Sequence, residues 1–286
     1  MDWSIGFIGA GVMAEVMIAG LLEEGVLPPF RIQASDPNAA RRAGLSDQHG
    51  VTVWDDNVRV AADVDLLVLA VKPQSLGRVL PQLKGHLREN TVVLSIVAGA
   101  SMRVLTTGLG TERVVRCMPN LPCRIRQGMT VWYAPPALDD LDRRRVQQAL
   151  SVMGREVAVG DETQVDRATA VSGTGPAIVG EFVKSMLEAA TFIGENRSVA
   201  QETVLSTVLG TAEMIRRAAD DGVHVAQLID EVTSPGGTTS RSLQVLKRGG
   251  FHATVTDAVA AAYERTQQLG EALEAQLVDD HPKRSS

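Results

Sequence analysis

The chain has 286 residues, enough at roughly 150 residues per domain for about two domains with a sizeable core, which excludes a small disulfide-stapled scaffold. Hydrophobic residues make up 44% and charged residues 22%, the balance of a folded globular protein and not of a disordered chain. Lys and Arg total 28 against 34 Asp and Glu, a formal net charge of -6, with five Phe, three Trp and two Tyr; neither the positive field nor the ring surface of a nucleic-acid binder is present.

Up to about residue 160, short apolar β-branched runs alternate with helical patterns, the rhythm of βαβ units on a parallel sheet. The strands are expected over Ser4 to Ile8, Arg31 to Ala34, Asp65 to Val71, Thr91 to Val97, Arg113 to Cys117, Met129 to Tyr133 and Glu156 to Val159. The run from Asp65 to Val71 is continuously apolar and not alternating, so it belongs in the middle of the sheet, covered on both faces. From 161 to 276 helical spacing dominates, with long helices expected over Pro176 to Ile193, Ser198 to Ala219, Thr238 to Lys247 and Ala253 to Ala275. Residues 277–286 read as a flexible tail. The longest apolar runs are strand-sized, far from the roughly 20 residues of a membrane span. No basic segment precedes an apolar stretch at the start, so no secretory signal is expected and a cytoplasmic location follows. Cys117 and Cys123 match neither a redox pair nor a zinc pattern; both are expected to be reduced and buried, and no metal site is expected.

The first strand runs into Gly9-Ala10-Gly11-Val12-Met13-Ala14, a G-x-G-x-x-A loop opening a helix. Gly9 permits the tight turn, Gly11 lets backbone approach a pyrophosphate and Ala14 allows close helix packing. The helix start then offers free N–H groups and a positive dipole end to phosphates. Dinucleotide binding follows from this context. Near the end of the second strand, Asp36 is placed to take a ribose 2′-hydroxyl, which leans slightly to NADH over NADPH. Arg41 and Arg42 are near enough to neutralise a 2′-phosphate instead, and Asp36 could equally cap the next helix.

Three further segments are too rich in Gly, Pro, Ser and Thr for packing: Ala70-Val71-Lys72-Pro73-Gln74, Arg116-Cys117-Met118-Pro119-Asn120-Leu121-Pro122, and Val232-Thr233-Ser234-Pro235-Gly236-Gly237-Thr238-Thr239. The first two follow strands and fall at the carboxyl edge of the sheet, where open α/β folds bind ligands. The third combines a helix start with converging hydroxyls, the composition of a small-carboxylate site.

With Val171-Ser172-Gly173 and Gly175-Pro176-Ala177, these motifs appear in an order that resembles the Δ1-pyrroline-5-carboxylate reductases, from about Ser4 to Gly270. The resemblance implies an N-terminal Rossmann domain and an all-α C-terminal domain that forms a homodimer, with assembly up to a decamer of dimers. It implies hydride transfer from NADPH or NADH to the C=N carbon of a cyclic imino acid, giving proline. It places the substrate carboxylate on Ser234, Gly236, Gly237, Thr238 and Thr239, with the Thr239 hydroxyl nearest the imine nitrogen. It assigns the cofactor to Gly9, Gly11, Val12, Met13, Ser35, Asp36, Asn57, Ala70, Val71, Lys72, Pro73, Ala98, Gly99 and Asn120. A protonated iminium is already electrophilic, so holding it against the nicotinamide with water excluded suffices without a strong acid or base.

The chain departs from the family pattern at Leu121, Thr174, Ile178, Val223-His224-Val225 and Asp36. A lost hydroxyl at 121 and a lost ring at 178 leave a different cyclic imine open as substrate. A β-hydroxyacid dehydrogenase would need a lysine where Val179 stands, with Lys184 too far along. A cofactor-binding sensor would have little reason to keep the Ser-Pro-Gly-Gly segment. His224 is read as structural, Lys72 as a loop residue touching cofactor, and the acids before Arg143-Arg144-Arg145 as the start of a solvated helix.

Overall fold

The structure is a computed structural model that describes residues 3–279. Its strands are β1 (Ile5–Ile8), β2 (Ile32–Ser35), β3 (Thr52–Trp54), β4 (Leu66–Leu69), β5 (Val92–Ser95), β6 (Val114–Met118), β7 (Gly128–Tyr133) and β8 (Gly154–Val159). They form one sheet in the order β3-β2-β1-β4-β5-β6-β7-β8. The chain order reverses between β1 and β4, which lie side by side with Ile8 opposite Leu69. That crevice is where a doubly wound sheet takes its ligand. All four residues of β4 are buried, as its unbroken apolar run requires; each such Leu contributes about 1.5–3 kcal/mol by leaving water.

The helices of this region are α1 (Val12–Glu23), α2 (Ala39–His49), α3 (Asn57–Ala61), α4 (Pro73–Leu83), α5 (Met102–Leu109), α6 (Asp140–Ser151) and α7 (Thr163–Ala168), with a 3-10 turn at Leu121–Ile125 and a π-turn at Thr169–Gly173. Asn38 caps α2, its side chain accepting from the N–H groups of Ala40 and Arg41; the capping role open to Asp36 falls to this neighbour. Asp139 caps α6, with Asp140 and Asp142 in the first turn.

Two features differ from the sequence reading. The three-residue edge strand β3 carries no apolar run and was not among the expected strands. The sheet is not wholly parallel, because β7 runs antiparallel to β6. The connection from Met118 to Gly128 is too short for a helical crossover, which needs a dozen or more residues. Several strands also end earlier than expected, so that Ala70, Val71, Ile96 and Val97 lie in loops.

The remaining helices are α8 (Gly175–Phe192), α9 (Arg197–Asp220), α10 (Val225–Glu231), α11 (Thr238–Arg248) and α12 (Phe251–Asp279). Contacts divide the chain into one unit running through Thr174 and joined by the stretch from Ala261 onward, and a second unit, Gly175–Ala260. This division falls later than residue 161. The buried Arg116 of β6 binds Glu162 and Asp166 (2.5 and 2.7 Å), fastening α7 to the sheet. Leu273 of α12 is buried in the cluster formed by β4, β5, α4 and α5. The tail expected over 277–286 lies, beyond Asp279, outside the described residues. Among the described residues no helix is long and apolar enough to cross a membrane.

Candidate active site

The glycine loop is fixed by backbone geometry. Gly9 has φ +101°, and a Cβ there would stand 2.7 Å from the Ala70 carbonyl oxygen, so β1 and the loop after β4 meet at a position that admits no side chain. Gly11 differs: it is the N-cap of α1, with φ -81°, ψ 178° and no side chain over the helix start. A Cβ on Gly11 would meet nothing within 4 Å. The space above the first turn of α1, with Val12 and Met13, is therefore an open cradle for an anion, which the dipole and the N–H groups of the turn favour.

At the end of β2, the Asp36 carboxylate is buried and both its oxygens are engaged. Oδ2 accepts the Ala10 N–H at 2.9 Å and Oδ1 the Asn38 N–H at 2.8 Å. Arg41 stands 3.6 Å from Oδ2, and Arg42 donates to the Asp36 carbonyl oxygen at 2.7 Å. Asp36 thus braces the glycine loop from β2. Beside it, Ser35 donates to Asn57 Oδ1 at 2.7 Å, while Asn57 donates from Nδ2 to Gln82 at 2.8 Å.

Along the same sheet edge, Lys72 is the exposed N-cap of α4, with Pro73 as its first residue. Ala98 and Gly99 lie in the loop after β5. Asn120 Oδ1 accepts the Met129 N–H at 2.9 Å, which ties the Met-Pro-Asn turn to β7. The π-turn closes on the same segment: Thr174 N–H reaches back to Thr169 O at 3.2 Å, and Gly173 packs against the Met118 side chain. Leu121, 57% exposed, adds an apolar surface beside this turn. Cys117 and Cys123 are buried and unbonded to each other. Burial pushes both thiols up from their ordinary range, so neither offers a thiolate.

In the helical unit, Ser234, Gly236, Gly237, Thr238 and Thr239 are gathered at the start of α11. Gly237 is the N-cap, and its N–H donates to the Ser234 carbonyl at 3.1 Å. A Cβ on Gly237 would fall on the Ser234 hydroxyl. Ser234 and Thr238 are exposed and Thr239 is half-buried, leaving hydroxyls and the N–H groups of a helix start facing outward. His224 is structural: its ring accepts the Ala226 N–H, and Gln227 returns a bond to the His224 N–H, a reciprocal cap on α10. No residue of α8, α10 or α11 is buried. Phe192, 91% exposed, and Leu209, 71% exposed, add to the apolar surface that this unit leaves uncovered.

The buried ion-pair role of Arg116 is not anticipated from sequence. A lone arginine inside an otherwise apolar strand is the signal, since such a side chain stays buried only with partners.

Residues 162–269 match the family model described as pyrroline-5-carboxylate reductase dimerisation, and residues 4–99 match the one described as NADP oxidoreductase, coenzyme F420-dependent. A pyrroline-5-carboxylate reductase of Synechocystis sp. is 39% identical over 270 residues, covering 94% of this chain and 99% of that one. The chain belongs to the pyrroline-5-carboxylate reductase family. The reductase of Pseudomonas aeruginosa is likewise 39% identical over 270 residues, with 94% and 97% of the two chains covered. Among solved structures, the reductase of Coxiella burnetii has a TM-score of 0.85 at 32% identity, covering 94% of this chain and 99% of that one. The Plasmodium falciparum reductase, solved with NADP bound, has a TM-score of 0.84 at 29% identity, covering 94% and 98%. The segment matching this reductase family's dimerisation model contains the helices that bury nothing of their own.

Proposed function

We propose that the chain reduces the C=N bond of Δ1-pyrroline-5-carboxylate to L-proline as a homodimer. The observation that carries this reading is 39% identity to named reductases across 94% of the chain, which itself carries the glycine loop and the Ser234 to Thr239 segment. NAD(P)H, when bound, supplies the hydride. The open cradle at Gly11 fits its pyrophosphate, and the edge formed by Asn57, Ala70 to Pro73, Ala98, Gly99 and Asn120 carries the rest of the dinucleotide. Ser234, Gly236, Gly237, Thr238 and Thr239 hold the substrate carboxylate, with the Thr239 hydroxyl beside the imine nitrogen. These groups orient an iminium that needs no further activation, so positioning and exclusion of water carry the rate.

Between the two donors, the surroundings of Asp36 support NADPH over the slight lean to NADH. Both carboxylate oxygens already accept backbone N–H groups, and Arg41, more than half exposed and 3.6 Å from Oδ2, is within reach of a 2′-phosphate placed there. NADPH is the favoured donor in this reading, with NADH accepted. The exposed apolar residues of the helical unit also support dimers associating into a larger ring. The test is incubation of the purified protein with the five-membered imine and NADPH, followed by chiral chromatography. L-Proline should appear in equal amount to NADPH consumed; NADPH binding without turnover would overturn the proposal.

A further inference from the structure

We infer that Gly270 and Glu274, near the end of α12, are positioning residues for the dinucleotide, acting through the loop Ile96–Ala100. The inference rests on the reading of Ala98 and Gly99 as cofactor-lining. This loop has no secondary structure of its own, so its shape is set by what packs on it. One face of α12 does so, through Leu269, Gly270, Leu273 and Glu274, residues at helical spacing.

Gly99 has φ +75°, and a Cβ there would lie 3.1 Å from Leu269 Cβ and 3.2 Å from the Gly270 nitrogen. In return, a Cβ on Gly270 would lie 3.1 Å from the Gly99 carbonyl oxygen, its one close contact beyond its own stretch of helix among the described residues. Loop and helix therefore meet backbone to backbone. A glycine inside a helix costs about 1 kcal/mol relative to alanine, and α12 carries one where its backbone meets this loop. Directly after the loop, Ser101 caps α5 by accepting the Val104 N–H, and its hydroxyl donates to Glu274 Oε1 at 2.9 Å. The other oxygen of Glu274 pairs with Arg103. Arg103 and Ser101 together hold the Glu274 carboxyl below its ordinary range. Between them, the Met102 N–H donates to Glu162 at 2.7 Å, the carboxylate that also holds Arg116. The loop thus meets Gly270 at Gly99, and the residues directly after it are held by two carboxylates, Glu274 and Glu162.

The test is fluorescence titration of NADPH into full-length Gly270→Val, Gly270→Ala and Glu274→Gln proteins, with thermal midpoint and dimer mass recorded for each, and Ala98→Leu as the direct probe of the loop. Gly270→Val should raise the Kd for NADPH at least tenfold and Glu274→Gln at least threefold. The KM for the imine and kcat at saturating NADPH should stay within twofold. Should Gly270→Val fail to fold, Gly270→Ala and Glu274→Gln carry the same test. If the helix variants lower the midpoint but leave the Kd within twofold while Ala98→Leu abolishes binding, the positioning role is refuted and the cofactor reading stands. If Ala98→Leu also leaves the Kd unchanged, the loop does not line the cofactor and both fall.

Discussion

Replacing Gly11 with valine separates the binding role of the glycine loop from its folding role. The Gly11 backbone, at φ -81° and ψ 178°, suits a β-branched residue, and its Cβ would meet no protein atom within 4 Å. The cost to folding is the poorer N-cap, at most about 1 kcal/mol, or roughly 2–4 °C in a chain of this size. The cost to binding is larger, because the side chain would fill the space through which phosphate reaches the N–H groups of α1. One lost charge-assisted hydrogen bond is about 1.5–3 kcal/mol, hence about 10- to 150-fold in the Kd for NADPH. Gly9→Ala is the converse. Its Cβ would collide with the Ala70 carbonyl at 2.7 Å, in a conformation that only glycine adopts freely, and strain of about 1–3 kcal/mol comes before any effect on the nucleotide. Thermal melts and NADPH titrations on both variants check this. Gly11→Val protein that binds NADPH within threefold of the parent would refute the cradle.

Thr239→Ala should lower turnover or imine affinity at least tenfold with the NADPH Kd unchanged; steady-state kinetics within twofold of the parent would count against its role. Arg41→Ala should reduce kcat/KM for NADPH about tenfold more than for NADH, since an Arg–phosphate contact is charge-assisted; an equal loss with both donors would remove Arg41 from the 2′-phosphate. Arg116→Leu leaves Glu162 and Asp166 without their shared partner, and breaking such a pair costs about 3 kcal/mol or more; a loss below about 1 kcal/mol in urea unfolding would mean that water replaces the guanidinium. Because burial raises the Cys117 thiol, its contribution to stability is complete at neutral pH and declines as pH climbs past the ordinary thiol range, where the unfolded chain ionises first. The melting midpoint should therefore fall between pH 8 and pH 10 by more in the parent than in Cys117→Ala, and equal slopes would show that the thiol ionises alike in both states.

Much of the site was legible because its chemistry is local. The Gly9-Ala10-Gly11 turn, the Met118-Pro119-Asn120 turn and the Ser234 to Thr239 segment each announce themselves within a few residues, and the structure puts the first two on one sheet edge and the third at a helix start. What sequence concealed depends on distant partners. The sequence does not reveal that Asp36 also braces the glycine loop, because its partner, the Ala10 N–H, lies 26 positions away. The antiparallel β7 follows from a connection length, a feature no residue type marks. The short edge strand β3 and the seven-residue helix α10 are too brief for periodicity to show. The return of α12 to the sheet unit is set by Leu273, buried in that unit's apolar cluster, and by Glu274, whose partner Ser101 lies 173 residues earlier.

The most direct test of the account compares initial rates with Δ1-pyrroline-5-carboxylate and with its six-membered homologue Δ1-piperideine-6-carboxylate, each with NADPH and with NADH. Fast oxidation is expected with the five-membered imine, with the higher kcat/KM for NADPH and a much slower reaction with the larger ring. Activity confined to the six-membered imine, or absent from both while NADPH still binds, would contradict it and turn attention to Leu121 and Ile178.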